Sequence, residues 1–196
     1  MEWSFSPRVI CNDDVQLEPL EMLALDEICE SLLPDPHGWY SVMFGLNDRA
    51  SYRAEIESAA LYAKNKTGLG FAIRDLRSKQ LAGISFFLKM DAENRHLEIG
   101  TTNLAPRFRK THVNTATKIL MLSHAFENLK CVRVSFRVDV ENRESERAIQ
   151  RLGAVHGGTL RHERILPDGR IRDYHFYSII DQEWESVKSA LKKKAQ

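Results

Sequence analysis

The chain's densest run of chemically capable residues lies between Leu104 and Lys118. Arg107, Arg109 and Lys110 crowd a short non-apolar segment ahead of Thr111, His112, Val113, Asn114 and Thr115. Leu104-Ala105-Pro106 closes a strand, and an apolar stripe at helical spacing starts just beyond the basic turn. The first N–H groups of such a helix have no intrahelical partner and point back at the turn. Together with the positive end of the helix dipole they make an anion site, for which a diphosphate is a natural guest. The plain alternative is a strand-to-helix loop whose arginines are only solvated. Arg161, His162, Arg164, Arg170 and Arg172 form a second basic cluster; solvated strand faces explain it, with an anionic substrate or a nucleic acid as the other reading. His96, His124, His156, His162 and His175 show no ligand spacing, and Cys11, Cys29 and Cys131 are far apart and odd in number. No metal site and no disulfide framework is expected, and the thiols are read as buried or inert.

Several elements must hold these residues. Val15–Leu17 reads as a short strand stopped by Pro19, and Met22, Leu25, Ile28, Cys29 and Leu32 recur at helical spacing until Pro34-Asp35-Pro36. A second helix runs from Asp48 to Lys64 with Tyr52, Ile56, Ala59, Ala60 and Ala63 on one side. Leu69–Ile73 and Leu81–Leu88 are strands joined through a polar turn at Asp75–Gln80. In the strand from His96 to Leu104, Leu97 and Ile99 point one way and Glu98 the other. The helix Val113–Leu129 carries Ala116, Ile119, Leu122, Phe126 and Leu129 inward. Val132, Val134, Phe136 and Val138 then alternate with Arg133, Ser135 and Arg137, completing a strand–helix–strand unit with parallel strands. Asn142 suits the N-cap of a helix reaching Leu152, with Gly153 just past its end. Two strands flank the turn Pro167-Asp168-Gly169, and a last helix directs Trp184, Val187 and Leu191 inward. Its Lys192–Lys194 run complements the dipole. The order is β-α-α-β-β-β-α-β-α-β-β-α.

At 196 residues the chain suits one domain, 1–196. A net charge of +1 provides no bulk field for nucleic acid or anionic membrane, and no apolar run is long enough to span a bilayer. The opening Met-Glu-Trp-Ser-Phe-Ser-Pro lacks a basic and an apolar leader region, so a cytoplasmic protein is expected.

Leu97-Glu98-Ile99-Gly100, Arg109 to Thr115 and Ser123-His124-Ala125-Phe126-Glu127 together resemble GNAT acetyltransferases of the RimJ/RimL type. Asn142-Arg143-Glu144-Ser145, Arg151-Leu152-Gly153-Ala154, Pro167-Asp168-Gly169, Arg172-Asp173, Tyr177-Ser178 and Glu183-Trp184 extend the likeness, as does Val15 to Leu20. It implies an α/β (α+β) GNAT fold, a mixed central sheet of about seven strands flanked by helices. A V-shaped opening would separate two parallel strands, those around Leu97–Leu104 and Cys131–Val138. Acetyl-CoA would lie there as cosubstrate, its diphosphate on the backbone of Lys110, Thr111, His112, Val113, Asn114 and Thr115 beside Arg109. Backbone groups near Asn103 and Leu104 would pair with the pantetheine arm, and Asn142 would assist. His112 and Asn114 stand where the family pattern has Gly and Gly or Ala; residue 112 is expected to start the helix with its imidazole turned outward.

The resemblance also implies the chemistry, transfer of acetyl to a primary amine by direct attack in a ternary complex. Glu98 is the candidate base, with Glu163 or a water chain as fallback and a solvated strand carboxylate as the alternative. Ser145 would protonate the departing thiolate, or is a first-turn helical serine; the tyrosine that many relatives use one turn later is Ile149 here. The implied acceptors are protein N-termini, peptides and small amines, with monomer and homodimer both open and no nucleic-acid or membrane partner. A non-catalytic acyl-CoA-binding sensor or interaction module is the competing function.

Overall fold

The computed structural model describes residues 3, 8–23, 25–33, 35, 39, 45–166 and 168–195. Pro34, Pro36 and Pro167, invoked above as helix and turn signals, lie outside them. The strands are β1 (Ile10–Cys11), β2 (Val15–Pro19), β3 (Leu69–Asp75), β4 (Leu81–Asp91), β5 (His96–Leu104), β6 (Arg133–Asp139), β7 (Val155–Ile165) and β8 (Ile171–Ile180). The helices are α1 (Leu25–Leu32), α2 (Arg49–Lys64), α3 (His112–Ser123), α4 (Arg143–Arg151) and α5 (Asp181–Ala195). These strands join one sheet in the order β1-β2-β3-β4-β5-β6-β8-β7. Among them only β5 and β6 pair in parallel, joined by the crossover through α3. The sheet thus has eight strands rather than about seven. The addition is the two-residue β1, whose partly exposed Ile-Cys pair carries no periodicity to read.

Alternation in the strands dictates two apolar faces, because neighbouring side chains leave a strand on opposite sides. Helices cover both. Gly70 on β3 and Phe86 on β4 meet α2, with Phe86 edge-on to Tyr62. On the other face Phe87 stacks against His124 at the end of α3. Between these layers lie Leu17, Ile73, Ile84, Leu97, Val134 and Ile179, all at most 1% exposed. Ends are set by local chemistry. Asp48 caps α2, accepting from Ser51 N at 2.7 Å while the Ser51 hydroxyl faces the cap backbone. Gly153, at φ +93°, ends α4 as a residue without Cβ can.

Three periodicity readings need correction. Met22 lies in a single 3-10 turn (Leu20–Met22), not in α1, and is 72% exposed. Ala60 faces solvent while Ala59 is buried, because α2 turns a narrower stripe inward than its alanines suggest. The helix expected to run unbroken to Leu129 changes at His124–Asn128 into a π-turn, closed by Leu129 N on His124 O at 3.0 Å. Ala125, Phe126 and Leu129 are buried across this turn, so the inner face continues to Leu129 although the regular helix does not. Cys29 and Cys131 are buried as expected, but Cys11 is exposed on the sheet edge. Among the described residues no helix is long and apolar enough to cross a membrane, and no His, Cys, Asp and Glu cluster suits a metal.

Candidate active site

Strands β5 and β6 pair only from His96 to Glu98 against Arg133 to Ser135. Beyond that they part, so residues 99–104 and 136–139 turn unpaired backbone edges toward each other. A bulge in β5 between Gly100 and Asn103 helps, since β4 opposes them with Phe86 and Ile84 and leaves one residue over. Thr101, within it, takes a positive φ of 48°. The gap is a cleft of about 830 Å³, walled by Gly100–Leu104 of β5, Phe136 and Arg137 of β6, Asn114, Thr115 and Lys118 of α3, and Ser145, Ala148 and Ile149 of α4 with Asn142 just ahead of it. Arg109, Lys110 and Thr111 close its mouth, and Arg147 and Arg151 add to a lining in which Glu144 is the one acidic residue among those described.

The loop ahead of α3 is built largely by its own side chains. Thr111 is the N-cap; its hydroxyl donates to Phe108 O at 2.7 Å and accepts from Val113 N at 3.3 Å. Lys110 takes the left-handed conformation, φ 60°, so that position 112 does not have to. His112 is the first residue of α3, and its Nε2 lies 2.9 Å from Asp75 Oδ1 at the end of β3. The imidazole points away from the cleft, as expected of a β-carbon tolerated there. Burial works to raise the Asp75 pKa, but hydrogen bonds from Ser78 and the His112 pairing hold it below the usual value. Val113 is fully buried in the core, and neither it nor His112 lines the cleft. Arg109 also serves the loop: its Nε donates to Leu104 O at 3.0 Å and its guanidinium pairs with Asp35. Asn103 Nδ2 donates to Tyr52 OH at 3.1 Å, fastening β5 to α2. Burial pushes the Tyr52 phenol up to about 12.

Glu98 is no solvated carboxylate. It is 5% exposed, at the point where the strands part, and accepts from Arg137 Nε at 2.8 Å with Lys89 Nζ at 3.8 Å. Burial raises its pKa, with Arg137 and Lys89 opposing. Glu163 on β7 pairs with the other end of the same guanidinium. The two acids proposed as alternative bases are therefore bridged by Arg137, a residue that sequence reasoning had placed only as the polar member of an alternating strand. No local pattern could have revealed it, because β5, β6 and β7 contribute one group each. Asn142 does cap α4, its Oδ1 accepting from Ser145 N at 3.1 Å, and Ser145 lies on the cleft wall in the first turn. Of the basic hairpin, Arg172 is buried and holds Asp139 at 2.5 Å and Glu141 at 2.7 Å, so it belongs to the core and not to a solvated face. Lys118 is the other residue the sequence did not single out. Its one signal is a position four after Asn114, on the same face of α3.

The cleft suits a long, phosphate-bearing ligand. Its mouth carries cations and a helix N-terminus, its floor two unpaired strand edges able to hydrogen-bond an extended chain. Comparison with known proteins identifies the family. Residues 14–155 match the acetyltransferase (GNAT) domain, and the chain belongs to that family. A Bacillus subtilis relative, YdaF, named for ribosomal N-acetyltransferase activity, is 31% identical over 108 residues; the match covers 55% of this chain and 58% of that protein. A structure from T. thermophilus, named as an acetyltransferase, superposes with a TM-score of 0.83 at 34% identity, over 98% of this chain and 99% of that one. Mycobacterium smegmatis RimJ, solved with CoA-disulfide, shares the fold with a TM-score of 0.77 at 18% identity, over 97% and 96% of the two chains.

Proposed function

We propose that the protein is an acetyl-CoA-dependent N-acetyltransferase, acting as a single domain on a primary amine by direct attack in a ternary complex. The observation that carries this reading is the parting of β5 and β6 after three paired residues, beside the N-terminus of α3. Acetyl-CoA, when bound, supplies an acyl group activated as a thioester. The backbone N–H groups from Lys110 to Thr115 would hold its diphosphate, apart from Val113 N–H, which already bonds the Thr111 cap. The unpaired edge around Asn103 and Leu104 would hold its pantetheine arm as an added strand is held. Glu98 would accept the proton of the incoming amine at a carboxylate oxygen, directly or through water. Its raised pKa brings a carboxylate nearer to that task, and a positioned base contributes about 10²–10⁴-fold. Ser145, at the cleft wall, would donate its hydroxyl proton to the departing thiolate.

The acceptor we favour is a protein or peptide N-terminus. An α-amine has a pKa near 7.7–8.0 and is partly neutral at physiological pH, whereas lysine near 10.4 is almost wholly charged. The name of YdaF points the same way. The test is thiol release from acetyl-CoA against a panel of N-terminal peptides, polyamines and amino acids. Binding without release for any acceptor would favour a non-catalytic acyl-CoA-binding module, which needs the cleft and not the Glu98–Arg137–Glu163 set. Absence of acetyl-CoA or CoA binding at high micromolar concentration would overturn both.

A further inference from the structure

Lys118 has no part in the mechanism above, and its surroundings are unusual for a lysine. It is 7% exposed and sits on the cleft wall, one turn beyond Asn114. Its Nζ lies 2.5 Å from Thr102 Oγ1, and that hydroxyl is 2.8 Å from Ser85 Oγ. Among the described residues no carboxylate pairs with it, and burial alone brings its pKa down to about 7. Enclosing an amine without a counter-charge works against folding, and an unbranched apolar side chain would fill the same space without that cost. The fold therefore gives no reason for an amine at this position; the cleft beside it does.

We propose that Lys118 is a further cofactor-binding residue, its amine donating to a carbonyl of the pantetheine arm of an acyl-CoA lying along β5. This rests on the acyl-CoA reading of the cleft. Thr102 belongs to the β5 segment whose edge toward β6 has no strand partner, so the amine is anchored beside the backbone that would pair with the arm. Ser85, fully buried, orients the Thr102 hydroxyl and so holds the amine in place before any ligand arrives. An ammonium has three donors, and in this structure one is engaged with Thr102. The arm is favoured over the diphosphate by position. Lys118 leaves α3 about 6 Å along its axis from Asn114, at 1.5 Å per residue, and reaches toward the strand rather than back to the helix N-terminus.

Calorimetric titration of wild type and Lys118→Met with CoA, S-acetylpantetheine and ADP tests the proposal, alongside thermal melting of the unliganded proteins. We expect the variant to lose about tenfold in affinity for CoA and for S-acetylpantetheine, and nothing for ADP, while its Tm equals or exceeds that of wild type. Equal affinities of the two proteins for all three ligands would overturn the assignment. So would a loss confined to CoA and ADP, which would place the amine on the diphosphate. A lowered Tm with a uniform loss would make Lys118 a folding residue and overturn it as well. Failure of wild type to bind CoA would instead remove the reading of the cleft on which the assignment rests.

Discussion

Glu98 and Glu163 share the guanidinium of Arg137, and that sharing decides how either acid behaves. If Glu98 is the base, Glu98→Gln should lower kcat by about 10²–10³-fold with an acceptor for which chemistry is rate-limiting, and leave acetyl-CoA affinity within about threefold. Activity surviving at several pH values would move the base to Glu163 or to water. Burial raises the Glu98 pKa and Arg137 opposes it, so Arg137→Met should raise it further. The basic form then appears only at higher pH, and the acid limb of the kcat/KM profile should move upward; an unmoved limb would show that another group sets it. His112 is a different kind of residue. Its imidazole is committed to Asp75, so His112→Gly should cost about 1 kcal/mol of stability through a flexible first helical position and the lost pairing. Acetyl-CoA affinity should stay within about threefold between pH 6 and 8. A tenfold loss confined to low pH would make the imidazole a phosphate ligand after all.

Among the elements, β4 and β5 approach closely beside the cleft. Gly83 opposes Leu104, and a Cβ there would overlap the Asn103 carbonyl oxygen and lie 3.0 Å from Leu104 Cα. The obstacle is backbone, which cannot swing aside as a side chain can. Gly83→Ala should therefore cost about 1–3 kcal/mol and displace the β5 segment that we propose holds the pantetheine arm. Lower Tm and weaker acetyl-CoA binding should appear together; a normal Kd in a well-folded variant would show that this edge does not hold the arm. The elements themselves were largely legible, because strands alternate and helices repeat over many residues. Boundaries and irregularities were less so. The π-turn at His124–Asn128 leaves the apolar spacing along the chain unbroken, and the bulge at Thr101 is defined only by its register against β4, so neither left a local mark to read.

Over the whole molecule, the buried Lys118 predicts how stability responds to pH. Its folded pKa, about 7, is below the unfolded value near 10.4, so between those limits the unfolded chain binds more protons. Stability from this group is present above the unfolded pKa and is lost as pH falls toward 7. Lys118→Met should thus be more stable than wild type at neutral pH, with the difference closing as pH approaches 10. Denaturant midpoints across pH 7 to 10 measure it, and a constant difference would mean that the amine is not desolvated as it stands in the fold. The sequence by itself determined the order of elements apart from β1, the basic loop opening α3, the cap at Asn142, and the family. These rest on local periodicity, backbone hydrogen-bonding needs and contiguous motifs, all of which are written along the chain. Tertiary structure alone decided that Glu98 is buried and bridged to Glu163 through Arg137, that Arg109 turns onto Asp35, and that Lys118 stands uncompensated beside the cleft. Each of those depends on charges and dielectric surroundings supplied by strands and helices remote in sequence, and a residue's neighbours along the chain carry no record of them.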